Sequence, residues 1–215
     1  SDGGFVVTWS SDGQDGDSTG IYAQRYDSNS DVNGAEFQVN TYATSSQGWV
    51  PITTALSDGG FVVTWSSDGQ DGDSWGIYAQ RYDASGDANG AEFQVNTYTA
   101  GVQYQPSTTA LSDGGFVVTW YSYGHVNGIF AQRYDSNGDA NGAEFQVNTY
   151  TAGDQYNPST TALSDGGFVV TWGSNQDLDL TGIYAQRYDV NGDVNGDEFQ
   201  VNTYTTGYQT QPSAT

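Results

Sequence analysis

The stretch SDGGFVVTW occupies residues 1–9 and returns unchanged at 57–65, 112–120 and 164–172. A nine-residue word recurring roughly every fifty-five residues is the mark of a repeat architecture. Each repeat keeps one order: SDGGFVVTW, a variable polar loop, GIYAQRYD (GIFAQRYD in the third), a turn such as SNGDANG, EFQVNTY, a loop, and QPSTTAL. No linker or change of composition separates the copies. The chain therefore reads as a single domain over 1–215 made of four repeats, 1–56, 57–111, 112–163 and 164–215.

Every apolar segment is short and bounded by Gly, Asp, Asn, Ser or Pro, which predicts strands. Phe5-Val6-Val7-Thr8-Trp9 is nearly continuous in hydrophobicity, as a strand covered on both faces must be. Ile21 to Tyr26 and Phe37 to Val39 alternate and suit strands nearer solvent, while Pro51 to Leu56 is a strand of small residues. No segment has helical periodicity. The expected fold is all-β: a four-bladed β-propeller with four antiparallel strands per blade. The small-residue strand belongs at the crowded centre and GFVVTW in second place. The final residues, Gln211-Pro212-Ser213-Ala214-Thr215, match the start of QPSTTAL. The ring is accordingly expected to close by this C-terminal strand joining the N-terminal blade, which removes two sheet edges. Assembly with other repeats or chains is the alternative.

The chain has 215 residues, 26 acidic groups and a formal net charge of -22. Its basic residues are Arg25, Arg81, Arg133 and Arg187, with no lysine. Without a basic patch, nucleic acid is excluded as a partner, anionic membrane surfaces are disfavoured and membrane insertion is not expected, while cations are favoured. No cysteine means no disulfide, no thiolate nucleophile and no zinc–cysteine site. No apolar run is long enough for a membrane-spanning helix. Methionine is absent, including at position 1, as expected of a processed chain or a piece of a longer one.

The combination GGFVVTW, GIYAQRYD and EFQVNTY, present in all four copies, resembles repeats of very large secreted bacterial proteins. Those proteins often carry haemolysin-type calcium-binding repeats and cadherin-like adhesin modules. The resemblance implies an extracellular or bacterial cell-surface location, an adhesive role and calcium-rich surroundings.

Two loops carry acids. After SDGGFVVTW, repeat one has Asp12, Asp15 and Asp17, repeat two has Asp68, Asp71 and Asp73, and repeat four keeps Asp177 and Asp179. Short carboxylates interleaved with glycine can wrap Ca2+ with oxygen ligands. The same residues also make plain turns. The second acidic loop begins at Asp27, Asp83, Asp135 or Asp189 and reads as a hairpin turn, since an EF-type loop would need glycine where Ala140 stands. Each repeat has one Arg and one Glu in fixed places (Arg25 with Glu36, Arg81 with Glu92, Arg133 with Glu144, Arg187 with Glu198), which predicts a repeated cross-strand ion pair. His125, the one histidine, lies in the odd loop of repeat three and reads as solvated.

Loop aromatics vary between copies: Trp49, Trp75, Tyr104, Tyr121, Tyr123, Tyr156 and Tyr208. Rings beside Asp, Asn and Gln stack on sugar faces while the polar groups bond hydroxyls, so Trp49, Trp75, Tyr104, Tyr156 and Tyr208 are candidate glycan-binding residues. The acids recur in turns, whereas an active site is one asymmetric place. The sequence therefore reads as a non-enzymatic extracellular structural and adhesive module, calcium-stabilised. A lectin-like carbohydrate-binding propeller is the alternative, and a hydrolase is the weakest reading.

Overall fold

The computed structural model describes residues 3–48, 50–124, 127–176 and 180–215. Its strands are β1 (Phe5–Asp12), β2 (Thr19–Tyr26), β3 (Phe37–Gln38), β4 (Ile52–Ala55), β5 (Phe61–Asp68), β6 (Trp75–Tyr82) and β7 (Phe93–Gln94). They continue with β8 (Val102–Ala110), β9 (Phe116–Tyr123), β10 (Gly128–Tyr134), β11 (Phe145–Gln146), β12 (Gln155–Ala162), β13 (Phe168–Ser174), β14 (Gly182–Tyr188) and β15 (Phe199–Gln200). Strand pairing gives four antiparallel sheets, the blades of a propeller: β1-β2-β3, β4-β5-β6-β7, β8-β9-β10-β11 and β12-β13-β14-β15. The chain divides into two compact units, 1–99 and 100–215, each holding two blades.

A blade starts one strand earlier than a sequence repeat. SDGGFVVTW runs from the turn leaving the inner strand into the second strand, as its composition predicts. Asp58 Oδ1 accepts the Gly60 N–H at 2.8 Å, and the Leu56 N–H reaches Gly60 O at 2.9 Å. The first blade has three strands. The segment 211–215 belongs to the second unit, where Thr161 Oγ1 donates to Ala214 O at 2.8 Å. Within each unit a continuous Leu-Ser-Asp-Gly-Gly turn holds the inner strand to its neighbour.

Both faces of FVVTW are used, which is why it is continuously apolar. In the first unit, Val6, Ile21, Ala23 and Val39 of one blade pack on Phe61, Val63, Trp65 and Tyr82 of the next. In the second unit, Leu111, Val117, Ile129, Ala131 and Val147 pack on Phe168, Val170, Trp172, Tyr184 and Tyr188 in the same way. Burial of each of the fully buried Val, Leu, Ile and Phe side chains contributes about 1.5–3 kcal/mol. The strand pairs are tied by stacked rings, Phe61 on Tyr82 at 4.8 Å and Phe168 on Tyr188 at 4.7 Å.

The recurring polar residues also have places. Asn148 Oδ1 accepts the Ile129 N–H at 2.7 Å while its Nδ2 donates to Tyr150 O at 2.8 Å, joining the outer strand to the third. Asp135 Oδ1 accepts the N–H groups of Asn137 and Asp139, so the second acidic loop is the expected hairpin turn. Those bonds, that of Asp139 first, hold the Asp135 carboxyl below its usual range.

The expected Arg–Glu pairs do not form among the described contacts. Ala23 faces Phe37 in the ladder, so continuing the register places Glu36 opposite Gln24 and turns Arg25 to the other face. The arginines instead clamp turns. Arg81, Arg133 and Arg187 pair with Asp58, Asp113 and Asp165 of the SDGG turns. Arg25 donates to Ala84 O and Ser85 O of the next blade, and Arg133 to Val190 O (3.0 Å) and Asn191 O. The glutamates serve the same inter-blade seam: Glu92 Oε2 accepts the Thr41 N–H and hydroxyl, and Glu198 Oε2 those of Thr149. Replacing the buried Arg133 by alanine should cost about 2–3 kcal/mol in chemical denaturation, because it orphans two turn carbonyls and Asp113. The same change at exposed Arg187 should cost under about 1 kcal/mol.

Candidate functional site

The antiparallel order places the loops after each second strand and before each inner strand at one end of the blade. In the second unit this end departs from the repeat. Tyr121 stands where the other copies have Ser10, Ser66 and Gly173, and Tyr123 where they have Asp12, Asp68 and Asn175. Tyr104 lies opposite Tyr121 in the β8–β9 ladder, and the Tyr121 and Tyr123 rings are 6.2 Å apart. Burial, the charge of Asp154 and the neighbouring Tyr123 push the Tyr121 hydroxyl up to about 12. The Asp154 charge thus acts on a half-buried tyrosine, Tyr121, whose neighbour Tyr123 is open to solvent.

The inner strands shape this end. Pro106 and Pro158 have no N–H for the ladder, and the pairing slips between Tyr104 and Ser107 and between Tyr156 and Ser159. The bulges put Gln105 and Asn157 at φ of 56° and 53°, an uncommon left-handed conformation for these residue types. The Asn157 N–H donates to Gln105 Oε1 at 3.3 Å, tying the two bulges together. Tyr156 lies across Gly173, where any Cβ would come within 2.9 Å of its ring, and its hydroxyl donates to Thr181 Oγ1 at 2.7 Å. Thr181 Oγ1 donates on to Asn175 Oδ1 at 3.3 Å, and the Asn175 N–H reaches Asp154 O, also at 3.3 Å. Tyrosine rings, an acid and an amide thus belong to one end of the second unit, the residue types that a polyhydroxylated ligand needs.

Of the aromatics expected to bind glycans, Tyr104 and Tyr156 belong to this end of the second unit. Tyr208 lies two positions earlier in its loop than they do in theirs, and it is exposed, with a single bridge to Thr181. Trp75 is half-buried at the start of β6, opposite Asp68. Trp49, His125, Asp177 and Asp179 lie outside the described residues. Asp12 and Asp68 end their strands, while Asp15 Oδ1 accepts the Asp17 N–H at 3.3 Å and Asp71 Oδ1 the Asp73 N–H at 3.2 Å. Asp17 Oδ2 accepts the Ser45 N–H at 3.0 Å. Gly20 and Gly76 leave room for the Asp15 and Asp71 carboxyls, which a Cβ would meet within 2.8 Å. Among the described residues no three acids or histidines gather as a metal-binding group. Sequence reasoning misses Asp154; its one signal is an acid where the preceding repeat has Val102.

No protein-family model matches the chain, and no curated protein is similar to it in sequence. The propeller is supported by comparison, but the secreted bacterial repeat family suggested by the motifs is not. Among solved structures, the α-L-arabinanase of Penicillium chrysogenum, complexed with arabinobiose, is similar over 98% of this chain and 62% of its own, at TM-score 0.64 and 12% identity. The GH43 endo-arabinanase of Bacillus licheniformis matches over 95% and 78% at TM-score 0.53 and 14% identity. An endo-1,4-beta-xylanase of Bacteroides thetaiotaomicron matches over 94% and 69% at TM-score 0.53 and 10% identity. These likenesses correct the expectation of a non-enzymatic adhesive module, since the three solved propellers just named are an α-L-arabinanase, an endo-arabinanase and an endo-1,4-beta-xylanase. The reasoning behind that expectation required every acid to recur symmetrically, and Asp154 among Tyr104, Tyr121 and Tyr123 does not.

Proposed function

We propose that the chain is a carbohydrate-active propeller that hydrolyses a pentose-based polysaccharide of the arabinan or xylan type. The asymmetric cluster of Tyr104, Tyr121, Tyr123 and Asp154 carries this reading, and the likeness to arabinanases and a xylanase supports it. Sugar rings would stack on the tyrosine faces, with Asn175 and Asp154 addressing their hydroxyls. Cleavage of a glycosidic bond uses a pair of carboxyl groups, one to protonate the leaving oxygen and one to direct water or attack. Asp154 is the carboxylate that this platform offers to the reaction.

Reducing-sugar release from debranched arabinan and from arabinoxylan tests the proposal. Release above a heat-killed control is expected, with Asp154→Asn lowering kcat about 100-fold or more. Tyr121→Ala should chiefly raise KM, by about 5–10-fold for a lost stacking partner. No release from either polysaccharide would sink the reading, as would full activity of the Asp154 variant.

A further inference from the structure

Asn-Gly occurs seven times in the chain, at Asn33, Asn89, Asn127, Asn137, Asn141, Asn191 and Asn195. The dipeptide carries its own chemistry: the glycine nitrogen lies one ring closure from the asparagine Cγ, and no Cβ stands in the way. Along the sequence the seven are alike. Asn191 and Asn195 even sit in the same tetrapeptide, Val-Asn-Gly-Asp. The fold separates them.

Three of the pairs have their reacting groups engaged. Gly138 and Gly192 donate their N–H groups to Asp135 O and Asp189 O, both at 3.0 Å. The Asn137 side chain is hydrogen-bonded to the Asp135 carboxylate. Arg133 reaches from the neighbouring blade of the same unit to the Asn191 carbonyl, and its guanidinium covers Gly192, where any Cβ would come within 2.5 Å of it. The Asn127 side-chain oxygen accepts the Gly124 N–H at 3.0 Å, and Gly128 is buried at the start of β10. The other four pairs form one set, one per blade, in the turn that leads to the outer strand: Asn33-Gly34, Asn89-Gly90, Asn141-Gly142 and Asn195-Gly196. Each asparagine N–H is fixed to the carbonyl of the blade's arginine, and each glycine carbonyl accepts from a glutamine Nε2 at 2.9–3.1 Å. Among the described contacts nothing engages the glycine N–H or the asparagine amide, and both residues are exposed in all four turns. A Cβ on any of these glycines would meet no described atom within 4 Å.

We infer that Asn33, Asn89, Asn141 and Asn195 are sites of spontaneous chain modification, one in each blade, which convert to aspartyl and isoaspartyl residues while the other three Asn-Gly pairs are protected. Hydroxide removes the glycine N–H proton and the nitrogen attacks the asparagine Cγ. The N–Cγ bond forms, the Cγ–Nδ2 bond breaks, and Nδ2 leaves as ammonia with a proton taken back from water. A water molecule then opens the cyclic imide at either carbonyl, giving aspartyl or isoaspartyl; one water is consumed, one ammonia is released, and nothing is oxidised or reduced. Where the glycine N–H is held in a hydrogen bond or the pair lies under a guanidinium, that contact must open first. Each event adds a negative charge close in sequence to Glu36, Glu92, Glu144 or Glu198. The isoaspartyl product also adds one carbon to the main chain ahead of β3, β7, β11 or β15.

The test ages the full chain at about pH 8, below the onset of tyrosine ionisation, and follows each asparagine by fragment-ion mass spectrometry of chymotryptic peptides. Asn195 should convert about tenfold or more faster than Asn191, the difference that one or two hydrogen bonds make, although both stand in Val-Asn-Gly-Asp. Asn33, Asn89 and Asn141 should keep pace with Asn195, and Asn137 and Asn127 should lag with Asn191. A parallel incubation in concentrated urea removes the fold, and there the gap between Asn195 and Asn191 should vanish. An Asn191 that converts as fast as Asn195 in the folded chain overturns the inference. So do four turn asparagines that stay unconverted while folded, or a gap that survives in urea.

Discussion

Trp172→Ala should destabilise the second unit by about 3–5 kcal/mol, the range for a large ring removed from a closed core. Trp172 is fully buried against Ile129, Ala131 and Val147 of the neighbouring blade. The blade cannot close over the lost volume, because its backbone is held by ladders on both sides, to β12 and to β14. Trp9 is the same residue of the same nine-residue word, but it is only half-buried in the first blade. Trp9→Ala should cost less than half as much. Paired calorimetric scans of the two variants measure the difference. Equal costs would contradict the half-burial of Trp9.

Alkaline pH should unfold the protein abruptly between about pH 10 and 12. Tyr82, Tyr134 and Tyr188 are buried ring partners whose hydroxyls are pushed up first by desolvation, then by Glu92, Glu144 and Glu198 respectively. Tyr78 and Tyr121 are pushed up to about 12, burial again being the largest cause. The unfolded chain gives up these protons near pH 10 while the native chain keeps them, so stability falls as pH rises from there. It is fully present below pH 10 and is lost as pH passes the folded values. For the well-buried Tyr82, Tyr134 and Tyr188 each tenfold weakening of a hydroxyl's acidity on folding corresponds to about 1.4 kcal/mol, and solvent screens the effect at Tyr78 and Tyr121, so together they lower Tm by on the order of 10 °C. Thermal melts at pH 8, 10 and 11, with tyrosinate absorbance followed in parallel, test this. Flat stability through pH 11 would contradict the buried hydroxyls.

Much of the fold is legible along the chain because its determinants are local. Phe61, Val63 and Trp65 must share one face of a strand, and Asp58 with Gly60 makes a turn from neighbouring atoms alone. The hairpin at Asp135 needs only the N–H groups two and four residues on. Repetition adds to this, since a word that works in one blade works in the next. The partners of Arg25 and Glu92 were not legible. Both side chains reach into a neighbouring blade, and a one-residue step in a period-two strand sends them to opposite faces. The candidate site was half legible: Tyr104 and Tyr156 stood out as variable rings, yet nothing in the repeat pattern joined them to Asp154.

The amino-acid order by itself determined the blade: four short strands, their succession, their turns and the two apolar faces of FVVTW. These rest on periodicity and on contacts within a few residues. Only the tertiary structure decided what meets across blades. Arg133 clamps a turn 57 and 58 residues away, and Tyr121 shares its surroundings with Asp154 of the next blade. Such pairings depend on how two sheets stack, and stacking brings together residues that no spacing within a single repeat can connect.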